Sequence, residues 1–302
     1  MTNSRFSQMR IHKTACLLAL SSLLSACSLF TPRTSTVFEP ADEFARTHED
    51  IAPEEEYVIG RAVAARILGR YKTYDDPALN DYIAQLGLVL AASSERPDPF
   101  AGYSFAILDS DEVNAMATPS GFIFVSTGLL RLVQDEDELA SVLAHEITHV
   151  TRRHGLQAIK QENYGSYAQV GGVALSAVDC SALTQQMAAA FSKAVGDVFD
   201  TLVSRGYSRQ QEYEADQGAT EVLSKSGYRR SAMNATLLAL AGTPNRSGGW
   251  FSTHPAPQER LTQLGTTAAD TPSAQVGFSA RSTRFKEHLE KLLSPVPRKK
   301  TS

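Results

Sequence analysis

The chain has 302 residues, enough for one large domain or two ordinary ones. Its 42% apolar and 21% charged residues are those of a globular protein with ample material for a core. A formal charge of −4, with no basic block able to track phosphates, excludes a nucleic-acid partner.

Arg5, Arg10 and Lys13 form a positive n-region, and no acidic residue precedes Glu39. The following TACLLALSSLLSA at 14–26 is apolar but far shorter than the roughly 20 residues that span a bilayer. It ends in Leu24-Ser25-Ala26-Cys27, which resembles a bacterial lipobox, so cleavage is expected before Cys27, whose thiol would carry a lipid. By resemblance to sorted lipoproteins, Ser28 rather than aspartate after that cysteine implies the outer membrane, with the chain facing the periplasm. Loss of residues 1–26 takes the charge from −4 to −7 and discards Cys16, leaving Cys180 with no partner for an intramolecular disulfide. Residues 27–52, rich in Thr, Pro, Ser and acidic side chains, read as a tether.

Order is expected from Pro53, a helix-start proline followed by three glutamates suited to the helix dipole. A second helix restarts at Asp76-Pro77 with Leu79, Tyr82, Ile83, Leu86 and Leu90 on one face. YSFAILD at 103–109 and GFIFVS at 121–126 are the strand candidates, joined by a connection ending in breaker residues. A helix is predicted over about 135–154, and Ser208 with Gln211 forms a capping box for another that stops near Gly227. Further helices are expected at 231–241, 256–265 and 284–293. The small-residue stretch 165–190 reads either as a tight helical hairpin or as a segment that could lie over a groove as a lid.

The predicted helix at 135–154 carries His145-Glu146-Ile147-Thr148-His149. Histidines four apart project from one helix face and can meet one tetrahedral ion, whereas Glu146, about 100° round the helix, can reach a water without becoming a ligand. A catalytic zinc needs a third protein ligand. The helix from Arg209 offers Glu212, Glu214 and Asp216, of which Glu212 and Asp216 share a face while Glu214 points almost opposite. Such a pair can divide the work, Glu212 on the metal and Asp216 on the far nitrogen of a ligand histidine. His154 reads as a C-terminal helix cation, and Trp250 as a core residue.

Four segments, NAMATPSGFIFVSTGLL (114–130), ELASVLAHEITHV (138–150), SRQQEYEAD (208–216) and HPAPQER (254–260), resemble the HtpX-like and CAAX-prenyl-protease-like gluzincin metallopeptidases, especially their periplasmic outer-membrane lipoprotein branch. Their order and spacing agree over residues 53–265. The resemblance implies an α+β, mainly helical, zincin-like domain with a small β-sheet beside the metal helix, spanning 53–266 and followed by a partly helical or disordered tail at 267–302. It implies one Zn2+ on His145, His149 and Glu212, with Glu146 as general base, His254 and Arg260 facing the cleft, and Asn114, Gly121 and Phe122 in the substrate groove. A substrate strand is expected to pair with residues 121–126. Unfolded or misassembled envelope proteins are the implied substrates; the contrasting reading is a non-proteolytic assembly factor or chaperone that keeps zinc for structure.

Overall fold

The computed structural model describes residues 51–159, 180–243, 249–254, 256–265 and 270–294. Cys27, the signal segment and the tether lie outside these, as does most of the stretch 165–190. The described residues all fall within one packing unit, Ala45–Ser302. Among them, no helix is long and apolar enough to cross a membrane.

Helix α1 (Pro53–Arg70) opens on its proline with Glu54, Glu55 and Glu56 in the first turn, and α2 (Pro77–Ala92) is capped by the Asp76 side chain, which accepts from the Leu79 N–H. Strands β1 (Ser104–Leu108), β2 (Ala115–Ala117) and β3 (Phe122–Ser126) form a sheet in the order β1-β3-β2. β1 pairs in parallel with β3, Ser104 to Phe122 through Leu108 to Ser126, while β2 runs antiparallel along its other side. This corrects the expected substrate strand. Both sides of β3 are occupied, so it has no free main-chain edge; the edge strands are β1, flanked by residues 72–74, and β2, within the connection read as a loop. Ser126 N donates to Asn114 O and Thr118 N to Phe122 O, so residues 114 and 118 face β3. Alternation then turns the N–H and C=O of Ala115 and Ala117 outward.

After α3 (Thr127–Leu132) comes α4 (Glu136–Thr151), capped by Asp135 and buried at every position from Glu136 to Val150. A helix covered on all faces has no solvated polar side, so each of its polar residues must find a partner inside the protein. Arg153 then adopts a left-handed conformation (φ 55°) and starts the short α5 (His154–Gln157). Helix α6 (Cys180–Asp200) passes through a π turn at Thr201–Arg205 to α7 (Arg209–Lys225), whose capping box is the one read from Ser208 and Gln211. α7 is the main partner of α4. Gly218 permits this closeness, because a Cβ there would lie 2.4 Å from Thr148 Cγ2.

Helices α8 (Ala232–Ala241), α9 (Trp250–Thr253) and α10 (Pro257–Leu264) follow. The last, α11, begins at Pro272 and ends at Leu293, well ahead of the start expected at 284. Phe285 and Leu289 on it belong to the main hydrophobic core, so this part of the expected tail packs with the rest. The architecture is mainly helical with one small sheet beside α4.

Candidate active site

Helix α4 presents His145 and His149 one turn apart with their Nε2 atoms 3.1 Å from each other. α7 brings Glu212 alongside, its Oε2 3.6 Å from His145 Nε2 and its Oε1 3.6 Å from His149 Nε2. His254, at the C-terminal end of α9, places Nδ1 2.8 Å from both Glu212 oxygens. One potential ligand atom from each of these four buried residues lies within 4.8 Å of the others. This group could hold a metal ion. Ligand atoms about 2.0–2.1 Å from a tetrahedral zinc stand about 3.3 Å apart, close to the 3.1 and 3.6 Å observed. Two imidazoles, one carboxylate and a further imidazole also match zinc chemistry.

The far nitrogens fix which ring atoms face the centre. Asp216 Oδ1 lies 3.0 Å from His145 Nδ1, so an Nδ1–H donating to it leaves Nε2 with a lone pair facing the centre. Behind His149 stands His154, Nδ1 to Nδ1 at 2.8 Å, and His154 Nε2 is 3.3 Å from Glu214 Oε2. Donation along that row likewise keeps His149 Nε2 unprotonated. His154 is thus fully buried and is not a solvated helix cation; burial lowers its pKa to about 4 despite Glu214. Sequence phase missed this because the left-handed Arg153 turns the chain back before His154.

Arg260 has no exposure and forks Asp216, Nε to Oδ2 at 2.8 Å and Nη2 to Oδ1 at 2.5 Å, with Nη1 3.2 Å from Glu212 Oε2. The cleft-facing place expected of Arg260 is therefore corrected: its planar fork is held by two buried carboxylates, where it orients them. Burial pushes the Asp216 and Glu212 carboxyls up. At Asp216 Arg260 outweighs that, and at Glu212 His254 and then Arg260 do, so both stay ionised. Glu146 is the contrast. Burial, then the charge of Glu212, lifts it to about 8. It accepts from the Ala117 N–H on β2, and its Oε1 has no partner among the described residues. A buried carboxylate oxygen with an unused lone pair beside a possible metal is where a water could be activated.

Of the expected groove residues, Asn114 sits at the start of β2, 5% exposed. A Cβ on Gly121 would lie 2.9 Å from the Tyr103 ring, and Phe122 stacks on Tyr57 of α1. Trp250, fully buried, stacks on His254 with ring centroids 3.9 Å apart and lies 5.5 Å from the His145 ring. The residue sequence reading passed over entirely is Tyr207, whose ring lies flat on His149 at 4.1 Å. Only its place beside the Ser208 cap hinted at it.

The chain is 28% identical over 260 residues to a beta-barrel assembly-enhancing protease of Escherichia coli, an alignment covering 85% of this chain and 52% of that protein. It is 35% identical over 191 residues to the beta-barrel assembly-enhancing protease of Yersinia pestis (62% of this chain, 38% of the relative) and 30% identical over 163 residues to metalloprotease YcaL of Escherichia coli (53% and 60%). It spans about half the length of the Escherichia coli assembly-enhancing protease. The model of peptidase family M48 matches residues 77–268, which takes in the HExxH helix α4, Glu212, His254 and Arg260, and on that match the chain belongs to peptidase family M48.

Proposed function

We propose that this protein is a zinc-dependent endopeptidase of the bacterial envelope that acts on misfolded or misassembled outer-membrane and periplasmic proteins. The observation that carries the activity is the union of a buried His145–His149–Glu212 set with a Glu146 oxygen that has no other partner. A purely structural metal site has no need of such a base. Zinc bound there would act as a Lewis acid on the scissile carbonyl and lower the pKa of water to about 7. Glu146 Oε1 would take one proton from the attacking water as its oxygen bonds to the carbonyl carbon, then pass that proton to the leaving amine as the C–N bond breaks. Asp216, Arg260 and His154 would hold the ligand side chains in register.

An extended substrate would pair with the outward Ala115 N–H and C=O and the Ala117 C=O of β2, the Ala117 N–H being taken by Glu146, a mode that reads backbone more than side chains. That suits unfolded chains, and the names of the relatives, beta-barrel assembly-enhancing proteases, point to envelope proteins. The lipobox-like Leu24-Ser25-Ala26-Cys27 supports an outer-membrane lipoprotein facing the periplasm. The test is zinc content together with casein cleavage by the chain from Cys27 onward. One bound zinc, with cleavage abolished and zinc retained in Glu146→Gln, is the expected result. A zinc-loaded protein inert towards every unfolded substrate would favour the non-proteolytic assembly factor instead.

A further inference from the structure

Tyr207 stands in the linker between the π turn and α7, and its position is fixed by backbone rather than by chance packing. Its N–H donates to Thr253 O at 3.1 Å. The preceding Gly206 has φ 76°, and a Cβ there would lie 2.3 Å from the same Thr253 oxygen, so only glycine lets the linker sit this close to α9. The Tyr207 ring is thereby laid on His149, centroids 4.1 Å apart and planes 15° from parallel, with His154 and His254 at 6.0 and 6.5 Å.

The ring is used by this stack; the hydroxyl is not. It is buried and has no hydrogen-bond partner among the described residues. Buried hydroxyls are ordinarily paired, and phenylalanine would provide the same stack without the loss. A phenolic hydroxyl is an intact hydrogen-bond donor near neutral pH. Around the centre, His145 Nδ1 and the Arg260 Nε and Nη2 lie on Asp216, His149 Nδ1 on His154, and His254 Nδ1 on Glu212; Arg260 Nη1 makes no hydrogen bond but is ion-paired with Glu212 Oε2 at 3.2 Å. The Trp250 Nε1 also lacks an acceptor, but its ring is sandwiched against His254 and the Arg260 guanidinium, whose carbon is 5.4 Å from the ring centre.

We propose that Tyr207 is a further catalytic residue, its hydroxyl donating a hydrogen bond to the scissile carbonyl oxygen as negative charge develops there. The inference rests on the peptidase reading above. No proton is transferred: the hydroxyl stays intact, and the proton of the attacking water still travels by Glu146. A donor fixed in place and screened from water acts mainly on the transition state, because the charge it meets is absent from the ground state.

Tyr207→Phe keeps the ring and removes the donor. With zinc-loaded full chain and a fluorogenic peptide cut from casein, kcat should fall about 100-fold while KM stays within about twofold, the behaviour of a lost oxyanion donor. Affinity for a phosphinic pseudopeptide, which mimics the tetrahedral species, should fall by the same factor as kcat/KM. Zinc content and Tm should match the parent, which separates the hydroxyl from a packing role. Unchanged kcat in Tyr207→Phe, or a loss accompanied by released zinc or a lowered Tm, would overturn the assignment while leaving the peptidase reading standing. A parent chain that binds zinc and neither cleaves casein nor binds the pseudopeptide would sink both.

Discussion

The two halves of helix α4 bury charge in opposite ways. At the first turn, Glu136 and Asp137 have no exposure, yet their oxygens are saturated. Glu136 accepts from the Tyr82 and Tyr228 hydroxyls, both at 2.9 Å, and from Arg284 of α11; Asp137 accepts from Arg229 and from Arg281 of α11. Three turns on, around Glu146 and His149, equally buried groups are left incomplete: Glu146 Oε1 and the Tyr207 hydroxyl have no partner among the described residues. A saturated cluster holds a helix in place and has no valence left for chemistry. An unsaturated one is a burden on folding that makes sense where a ligand and a substrate complete it. One rigid helix joins the two, so the first can brace the second.

The sharpest contrast is between one substitution at each end. Glu146→Gln should remove casein cleavage, a loss of at least the 10²–10⁴-fold usual for general-base removal, and leave the urea midpoint no lower than the parent's. Asp137→Ala should do the reverse. It strands the buried Arg281, while Arg229 keeps only Asp135, and should destabilise by about 3 kcal/mol, with activity per folded molecule retained below the transition. Equal stability losses in the two variants, read as midpoint shifts at constant m-value, would abolish the distinction between the halves.

How much of this was legible in the sequence follows from how local each signal was. The spacing of His145 and His149, the Ser208–Gln211 box and the shared face of Glu212 and Asp216 are properties of single helices, and the structure puts those groups where the helical period says. β2 was invisible because Ala115-Met116-Ala117 has neither alternation nor β-branched residues; it is a strand through the partners Asn114 and Thr118 find on β3. That β3 would be central, and so unable to receive a substrate, is a matter of strand order that no local pattern carries. The packing of the expected tail could not be read locally either, since Arg281 and Arg284 find their partners Asp137 and Glu136 more than a hundred residues away in sequence. His154 was missed through one left-handed residue.

The unsaturated end also predicts a pH dependence for the metal-free protein. His154 has its pKa lowered from 6.5 to about 4, chiefly by burial. Between those values the unfolded chain binds the proton first, so stability falls as pH falls through that window, by up to about 3 kcal/mol for this one residue. Burial lowers His149 and His254 as well, and they add to the same slope. Glu146 works against them. Raised to about 8, it makes the folded state the better proton binder between 4.5 and 8, so its contribution declines as pH rises. In urea titrations of metal-free protein, His154→Gln should flatten the slope between about pH 6.5 and pH 4; an unaltered slope would mean that His154 is not the buried neutral group described.

The smallest effects should lie farthest from the centre, and they grade the reach of each carboxylate. Glu212→Gln should weaken zinc binding most, because it alters a proposed ligand that also neutralises Arg260 and receives His254. Asp216→Asn should lose roughly 10–100-fold, since it orients His145 without touching the ion and also anchors the Arg260 fork. Glu214→Gln should cost least. Its side chain is 41% exposed and reaches the centre only through His154 and then His149, so water can replace much of what it supplies. Competition against a chelator of known zinc affinity would rank the three variants. A Glu214 effect larger than that of Glu212 would put the phase of α7 half a turn out; one as large as that of Asp216 would show that the row through His154 holds His149 as firmly as Asp216 holds His145, and that both histidines depend on a carboxylate behind them.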